Sequence, residues 1–350
     1  MSIRTRIAFL LTPLVCTAVF FAQQNTPPPA SALASIPASR IDLDVVVTPK
    51  SGPAVAGLQQ QDFTIFDNKA LQRITSFRAR SGSQDPVHII LVIDAVNTGY
   101  QILAYERGQI DKFLRANGGR LAQPMTLAFF TDKGTQIEEG FSTDGNGLSE
   151  SFDHHDIGLR DIRRSSQYEA NDRFQLSMTA LRELLEQAAK LPGRKMVFWV
   201  SPGWPILSGP RIDLDYKQQN QIFSSVVGLS TQLRQARITL YSVDPLGSNE
   251  GVARTTYYQD FLKGVSKPNQ VNVGDLSLQV LAVQSGGLAL ASDNDVASLL
   301  QKCLADTEAY YELSFVSAPA DHRDEYHNLL VQVAKPGLTA RTRTGYYAQP

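Results

Sequence analysis

Cysteine is scarce in this chain. Its 350 residues include Cys16, Cys303 and no other cysteine. Because Cys16 lies in an apolar N-terminal stretch that we expect to be removed, the remaining thiol could form no internal disulfide. The spacing of apolar residues over 295–310 places Cys303 on the apolar face of a helix, where a thiol is usually buried and inert. The core alone must therefore stabilise the fold.

The chain also lacks an excess of charge of either sign. Its 33 basic and 34 acidic residues give a formal net charge of −1 at pH 7, and no run of like charges stands out. Proteins that bind nucleic acid need basic surfaces to neutralise phosphates. The charge balance therefore gives no reason to expect nucleic acid or an anionic membrane surface as a partner.

No apolar run reaches the roughly 20 residues that a membrane-spanning helix needs. The run at residues 7–21 is shorter, follows Arg4 and Arg6, and ends at Ala22, which is the pattern of an export signal. We therefore predict a cleaved signal over 1–22 and a periplasmic or secreted protein, with an uncleaved membrane anchor as the alternative. Residues 23–39 are rich in Pro, Ala and Ser and indicate a linker.

The most informative segment that is present is an unbroken apolar run, His88-Ile-Ile-Leu-Val-Ile-Asp94. A strand without polar interruption is typical of a parallel sheet that is covered on both faces. Open α/β sheets hold their ligand sites at the carboxyl ends of such strands. Asp94 is therefore the first candidate for a cation ligand or a catalytic acid.

Strand and helix patterns alternate over residues 86–307, which predicts an α/β domain. We expect a doubly wound, mostly parallel sheet with helices on both faces and one antiparallel edge strand. The predicted strands are 88–94, 125–131, 136–141, 196–200, 238–243 and 288–291, the predicted helices are 102–116, 174–188, 222–236, 275–284 and 295–304, and 142–172 is predicted to be a loop.

Both ends of the remaining chain have β patterns. Residues 40–80 read as three strands, and 308–350 read as three more at 310–316, 326–333 and 338–347. Because three short strands alone would lack an apolar partner, we expect the two regions to pack together as a β-rich accessory region.

Several short landmarks follow one another in a characteristic order from Ile41 onward. They are Gln61-Asp-Phe-Thr64, Leu191-Pro-Gly-Arg-Lys195, Tyr241-Ser-Val-Asp-Pro245, Ser285-Gly-Gly287, Tyr310-Tyr-Glu-Leu313 and Arg343-Thr-Gly-Tyr346. Together with the strand that ends in Asp94, they resemble the VWFA-related domain family common in acidobacteria, whose members are similar to von Willebrand factor type A domains. The resemblance implies a type A fold and a protein-interaction function.

Type A domains typically bind a divalent cation through an Asp-x-Ser-x-Ser loop, a threonine and a second aspartate. The resemblance assigns the first acid to Asp94 and the last hydroxyl of that loop to Thr98, but Val96 replaces the middle serine. Ser201 replaces the second aspartate. By position, the threonine could correspond to Asn171, Ser165 or Ser166.

One carboxylate with a few neutral oxygens is a poor ligand set for Mg²⁺ or Mn²⁺. The resemblance therefore implies a degenerate metal-ion-dependent adhesion site. We expect Asp94 to accept hydrogen bonds from backbone N–H groups of the following turn or helix, with Asn97 and Thr98 assisting.

Enzymatic interpretations lack essential residues. A phosphoryl-transfer enzyme of the haloacid-dehalogenase type needs a second acid where Val96 stands. Trp199 replaces the glycine that a nucleophile elbow around Ser201 would require. The adjacent His154 and His155 lack a spaced second pair that would complete a zinc site.

We therefore predict an exported, non-enzymatic module that binds a protein partner through loops 94–100, 142–172 and 201–210. Asn97 and Trp204 are the candidate partner contacts, although burial of Trp204 in the core is equally compatible with the sequence. The alternatives are a cation-dependent adhesion domain that uses Asp94 and Thr98, and a phosphoryl-transfer hydrolase with Asp94 as nucleophile. No cofactor is expected, and Mg²⁺ or Mn²⁺ belongs only to the adhesion alternative.

Overall fold

The secondary structure is taken from a computed structural model that describes residues 40–81, 86–155, 167–205, 213–247 and 256–350. The strands are β1 (Arg40–Pro49), β2 (Phe63–Asp67), β3 (Ala70–Gln72), β4 (Ser76–Ser81), β5 (His88–Asp94), β6 (Arg120–Thr131), β7 (Gly134–Ile137), β8 (Ser142–Asp144), β9 (Lys195–Val200), β10 (Ile238–Val243), β11 (Ala289–Leu290), β12 (Ala309–Val316), β13 (Glu325–Val333), β14 (Leu338–Arg341) and β15 (Gly345–Ala348). The α-helices are α1 (Tyr100–Leu114), α2 (Ala116–Gly119), α3 (Gly145–His154), α4 (Gln167–Ala189), α5 (Tyr216–Gln235), α6 (Leu278–Gln284) and α7 (Val296–Leu304).

A mostly parallel sheet forms the centre of the described structure, in the order β11-β10-β9-β5-β6-β7. Strands β11, β10, β9, β5 and β6 run parallel, and both β7 and β8 pair antiparallel with β6. The chain proceeds outward from β5 to β7, and then returns to β9 and proceeds outward on the other side. This reversal creates a crevice at the carboxyl ends of β5 and β9. The predicted α/β class is confirmed, although β8 is an antiparallel strand that the sequence did not predict.

Helices cover both faces of this sheet because its central strands are apolar on both sides. In β5, Ile89, Leu91 and Ile93 pack in one apolar cluster with residues of α1, α3 and α7. Ile90 and Val92 face the opposite cluster, to which α4, α5 and α6 contribute. Cys303 of α7 is buried, as predicted.

The two β-rich ends of the chain share two antiparallel sheets, ordered β14-β1-β12-β4 and β15-β13-β2-β3. Strand β1 pairs with both β12 and β14, and β2 pairs with β13. The two sheets contribute to one apolar cluster, which includes Leu43, Ile65, Leu313 and Val331. They therefore form a sandwich that neither end of the chain could build alone.

Ionic contacts join the sandwich to the amino ends of the parallel strands. Arg237 directly precedes β10, and its guanidinium forms ion pairs with Asp44 of β1 and with Glu312 of β12, the latter at 2.6 Å. Arg194, which precedes β9, donates a hydrogen bond to the Asp306 carbonyl at 3.0 Å. The carboxyl ends of β5, β9 and β10 therefore lie at the edge of the sheet opposite to these ionic contacts.

Three predictions of secondary structure were wrong. The region predicted as three strands over 40–80 contains four, β1 to β4. Residues 142–172 are not a loop, because they contain β8, α3 and the start of α4. The Asp144 carboxylate begins α3 by accepting hydrogen bonds from the N–H groups of Asn146 and Gly147 at 3.0 and 3.1 Å. The predicted strand 338–347 is two strands, β14 and β15, which belong to different sheets.

The predicted export signal, the linker, and residues 156–166 of the predicted loop lie outside the described residues. Within the described part of the chain, none of the helices combines the length and the apolar character that are needed to cross a membrane.

Candidate functional site

Asp94 ends β5 at the crevice, and its carboxylate is fully buried. Oδ1 accepts hydrogen bonds from the backbone N–H groups of Val96 at 3.0 Å and Asn97 at 2.8 Å. Oδ2 accepts from Asn97 Nδ2 at 2.9 Å and from Trp199 Nε1 at 3.1 Å. The expected backbone hydrogen bonds are present, and the Asn97 and Trp199 side chains supply two further N–H donors.

Two opposing effects act on the protonation of Asp94. Burial raises the pKa of its carboxyl group, because an apolar interior disfavours the charged form. Hydrogen bonds from Asn97, Trp199 and Ser201 act in the opposite direction, but the pKa remains above its ordinary value. Neutral hydrogen-bond donors therefore stabilise the charged form of Asp94 and partly offset the effect of burial.

Asn97 connects the β5 turn to helix α4. Its Nδ2 atom also donates to Ser177 Oγ at 3.0 Å, and the Ser177 hydroxyl donates to the Arg173 carbonyl at 2.8 Å. Ser177 is fully buried, and Asn97 is 3% exposed. The network therefore fixes the turn against α4 and leaves Asn97 little surface for a partner.

Aromatic and aliphatic side chains enclose the Asp94 network. The Trp199 and Trp204 rings pack edge to face with centroids 5.2 Å apart, and Trp204 Nε1 donates to the Leu276 carbonyl at 2.8 Å. Trp204 is 3% exposed, which places this candidate partner contact in the core. Val96 belongs to the same apolar cluster as both tryptophans. A serine at that position would place a hydroxyl in an apolar environment.

The structure brings together only part of the predicted cation site. Thr98 and Ser201 are buried beside the β5 turn and after β9, and Ser201 Oγ accepts a hydrogen bond from the Gly203 N–H at 3.1 Å. Asn171 is instead exposed, in the N-terminal part of α4. Ser165 and Ser166 lie outside the described residues.

The donor set around Asp94 does not fit a divalent cation. Mg²⁺ and Mn²⁺ require several oxygen lone pairs directed at one point. Here both carboxylate oxygens already accept two N–H donors each, and Val96 offers only hydrocarbon. Across the part of the chain that the structure describes, no group of three or more His, Cys, Asp or Glu side chains could hold a metal.

The two adjacent histidines do not converge on one point. His154 Nδ1 lies 2.7 Å from the Glu150 carbonyl oxygen, whereas the His155 ring stacks on Phe129 with centroids 3.6 Å apart. A third histidine, His327, is buried in β13 beside Asp67. These arrangements give each histidine a structural partner.

Two exposed tyrosines stand at the carboxyl-end edge of the sheet. Tyr100 is the first residue of α1, which follows β5, and it is 71% exposed. Tyr216 is the first residue of α5, which follows β9, and it is 80% exposed. Asp215 fixes the start of α5 through a capping box with Gln218. Because α1 and α5 cover opposite faces of the sheet, one tyrosine lies on each side of the crevice.

Sequence reasoning missed Ser177 and Tyr216, and it included Tyr100 only as the last residue of the predicted partner-binding loop 94–100. Ser177 had a detectable signal, since it is a polar residue three positions after Phe174 on the apolar stripe of α4. The tyrosines are single aromatic residues at helix starts, and only the structure shows their exposure.

No protein-family profile matches this sequence, and no curated protein matches it. Among solved structures, the chain is similar to the PilB minor pilin from Streptococcus sanguinis, with 9% identity, a TM-score of 0.37, and coverage of 64% of this chain and 62% of the pilin. It is similar to the pilus adhesin SpaC from Lactobacillus rhamnosus GG, with 9% identity, a TM-score of 0.41, and coverage of 84% and 48%. A third similar structure is the ArnB paralog VWA2 from Sulfolobus acidocaldarius, with 10% identity, a TM-score of 0.29, and coverage of 88% and 76%.

The chain thus spans less than two thirds of the pilin and of the adhesin. At these identities and TM-scores, the likenesses carry no argument about function.

Proposed function

We propose that this chain is an exported, non-enzymatic interaction module of the von Willebrand factor type A class. In this proposal it binds a protein partner at the carboxyl-end edge of the parallel sheet. The single observation that carries the proposal is the pair of exposed tyrosines, Tyr100 and Tyr216, on either side of the crevice. They replace the buried Asn97 and Trp204 as the contacts that we expect a partner to make.

The chemistry of the edge supports a protein partner. Tyrosine is enriched at protein interfaces because it combines a large apolar ring with a hydroxyl that can still hydrogen-bond. Both residues lie in the first turn of a helix, so their backbones are ordered before a partner binds. The sandwich contacts the amino ends of the strands, so it leaves the carboxyl-end edge accessible.

The closed state of the Asp94 network supports a role without a cation or a reaction. Asp94 and Thr98 are 0% and 1% exposed, so neither could contact a ligand without opening the core. A nucleophilic Asp94 would also have to exchange its four N–H donors for a phosphoryl group. The adhesion and hydrolase alternatives each require this rearrangement.

Affinity capture tests the proposal. The purified protein, the double variant Tyr100→Ser/Tyr216→Ser, and the control Leu71→Ser are immobilised and exposed to an envelope extract of the source cell, with and without EDTA. Leu71 is 70% exposed on β3 of the sandwich, so the control loses a similarly exposed apolar side chain elsewhere. We expect one partner that the wild type and the control retain in EDTA, and at least tenfold weaker capture by the double variant.

Each alternative predicts another result. Loss of the partner in EDTA, together with loss in Asp94→Ala, would favour the cation-dependent adhesion domain. Turnover of a phosphate ester by the wild type that Asp94→Asn abolishes would favour the hydrolase. Equal capture by the double variant and the wild type would remove the tyrosines from the interface and overturn the proposal.

A further inference from the structure

A groove runs beside β7, the edge strand of the central sheet. It has a volume of about 650 Å³ and lies between β7 and the C-terminal part of α4. Ile90, Ile137, Phe141 and Leu191 contribute its apolar lining. None of the residues that line the groove belongs to the carboxyl-end site.

The outer side of β7 presents backbone hydrogen-bonding groups to this groove. The Glu138 N–H donates to the Leu127 carbonyl at 2.9 Å, and the β6–β7 register pairs Phe129 with Gln136. Hydrogen-bonded pairs alternate along an antiparallel ladder, so the N–H and C=O groups of Thr135 and Ile137 point away from β6. Among the described residues, no strand pairs with that side of β7. The strand therefore has an open edge beside an apolar groove.

The charge around the groove selects the kind of partner. Glu138, Glu139 and Glu183 line it, and Lys190 is the one cationic side chain among the described residues of the lining. Glu139 and Glu183 are exposed, whereas Glu138 accepts a hydrogen bond from Ser151. An excess of carboxylates over an apolar floor is complementary to lysine or arginine side chains that alternate with aliphatic ones.

We propose that β7 binds an extended basic segment of a partner protein, which adds to the sheet as a further strand. The backbone of the segment would pair with Thr135 and Ile137. Its aliphatic side chains would pack on the partly exposed Ile137 and Phe141, and its basic side chains would lie near Glu139 and Glu183. Exposed edge strands are a common means of binding extended peptides. This site is independent of the tyrosine edge, so one can exist without the other.

The probe is a synthetic peptide of alternating lysine and valine. Its N-terminus is acetylated, its C-terminus is amidated, and it carries a fluorophore. Fluorescence polarisation measures its binding to the purified protein. Two N-methylated versions carry the methyl groups on alternate residues, so that one version blocks the backbone groups that would face β7 and the other blocks the opposite side. We expect the first version to bind at least tenfold more weakly than the parent peptide, and the second to bind within about threefold of it.

Charge-reversal variants on α4 provide the matched protein comparison. Glu183→Lys changes a residue that lines the groove, whereas Glu186→Lys changes an exposed residue of the same helix that does not. We expect about tenfold weaker peptide binding by Glu183→Lys, and binding by Glu186→Lys and by Tyr100→Ser/Tyr216→Ser close to that of the wild type. Circular dichroism checks that the variants fold, and the N-methyl comparison needs no variant at all.

Several results would overturn the proposal. These are an absence of binding to the wild type, equal affinity for the two N-methylated peptides, and equal affinity for a glutamate–valine peptide. Another result would be a dimer of the protein that the lysine–valine peptide dissociates. That result would mean that a second copy of the chain occupies the groove, and it would likewise overturn the proposal. The variant Tyr100→Ser/Tyr216→Ser changes the carboxyl-end edge and leaves the groove intact. Peptide binding therefore tests the groove separately from the proposed partner site at the carboxyl-end edge.

Discussion

Asp94 and Asp67 are both buried aspartates at the ends of strands, and they differ in what surrounds them. Asp94 ends β5, and its carboxylate accepts four N–H donors from a backbone turn, an amide and an indole. Asp67 ends β2, and its carboxylate contacts His327 Nδ1 at 2.9 Å and the Tyr346 hydroxyl at 2.7 Å. Two of the donors to Asp94 are backbone N–H groups, whereas both of these partners of Asp67 are side chains from other strands.

The position of an aspartate at the end of a strand therefore does not determine its role. The donors of Asp94 come mostly from residues within three positions along the chain, so they shape the turn that begins the crevice. The partners of Asp67 come from β13 and β15, so they tie the N-terminal strands to the C-terminal ones. One network therefore stabilises a local turn, and the other joins the two ends of the chain.

Removal of Asp94 should give the largest effect. In Asp94→Ala, the Asn97 amide and the Trp199 indole lose their shared acceptor inside the core, and we expect a loss of roughly 4 kcal/mol of unfolding free energy. Asp94→Asn keeps one acceptor oxygen and should lose about half as much. Urea denaturation measures both values. A loss below about 1 kcal/mol in Asp94→Ala would contradict the structural role of the network.

Removal of the histidine should test the other network. In His327→Ala, the Asp67 carboxylate loses its imidazole partner and a cavity remains between β2 and β13, so we expect a loss of about 3 kcal/mol. Because this network joins the chain ends, proteolysis of the variant should release sandwich strands before it cuts β5 or β9. Limited proteolysis with mass spectrometry measures the order of the cuts, and early cuts in the central sheet would contradict the comparison.

A third buried aspartate provides a pH test. Burial raises the pKa of Asp275 to about 6. The folded state therefore binds this proton more tightly than the unfolded state, so the group stabilises the fold most below about pH 4 and loses that contribution as pH rises through about 6. Asp275→Asn keeps an oxygen that can accept from the Asn272 N–H and carries no charge.

We therefore expect the unfolding free energy of the wild type to fall by about 2 kcal/mol relative to Asp275→Asn between pH 4 and pH 7. Urea denaturation at both pH values measures the difference. A constant difference between the two proteins would exclude Asp275 as a source of the pH dependence.

The smallest effect is expected at the α4 end of the Asp94 network. Ser177→Ala removes the hydroxyl that accepts from Asn97, and we expect a loss of about 1 kcal/mol. Thr179→Ala is the matched control, because the exposed Thr179 hydroxyl makes only a hydrogen bond to the Gln175 carbonyl on the same helix. The control should change stability by less than about 0.5 kcal/mol. Equal losses in the two variants would remove Ser177 from the network.

Local patterns predicted much of the fold. The unbroken apolar run identified β5, and the apolar spacing identified α4, α5 and α7, because burial on one or two faces leaves a periodic trace in the sequence. Helix α3 was missed because it has few apolar residues and begins Gly145-Asn-Gly147, so its stability depends on the Asp144 cap and on packing. The division of 338–347 into β14 and β15 depends on two sheets that the local sequence does not encode.

The sequence predicted only those contacts of the candidate site that join residues close together in the chain. The backbone hydrogen bonds to Asp94 followed from the adjacent turn residues, and the sequence also showed that Val96 interrupts the cation-binding pattern. The contacts of Asn97 with Ser177 and of Asp94 with Trp199 join residues 80 and 105 positions apart. No local pattern specifies such pairs, because they depend on how α4 and β9 pack beside β5.

We propose that the protein's own N–H donors close the Asp94 site and occupy the positions that a cation would need. Thermal unfolding of the wild type and of Asp94→Ala, each with EDTA and with millimolar Mg²⁺ or Mn²⁺, tests it most directly. We expect the cations to leave both melting temperatures unchanged, and we expect Asp94→Ala to melt well below the wild type under every condition. A cation-dependent rise of several degrees in the wild type that is absent from Asp94→Ala would contradict it.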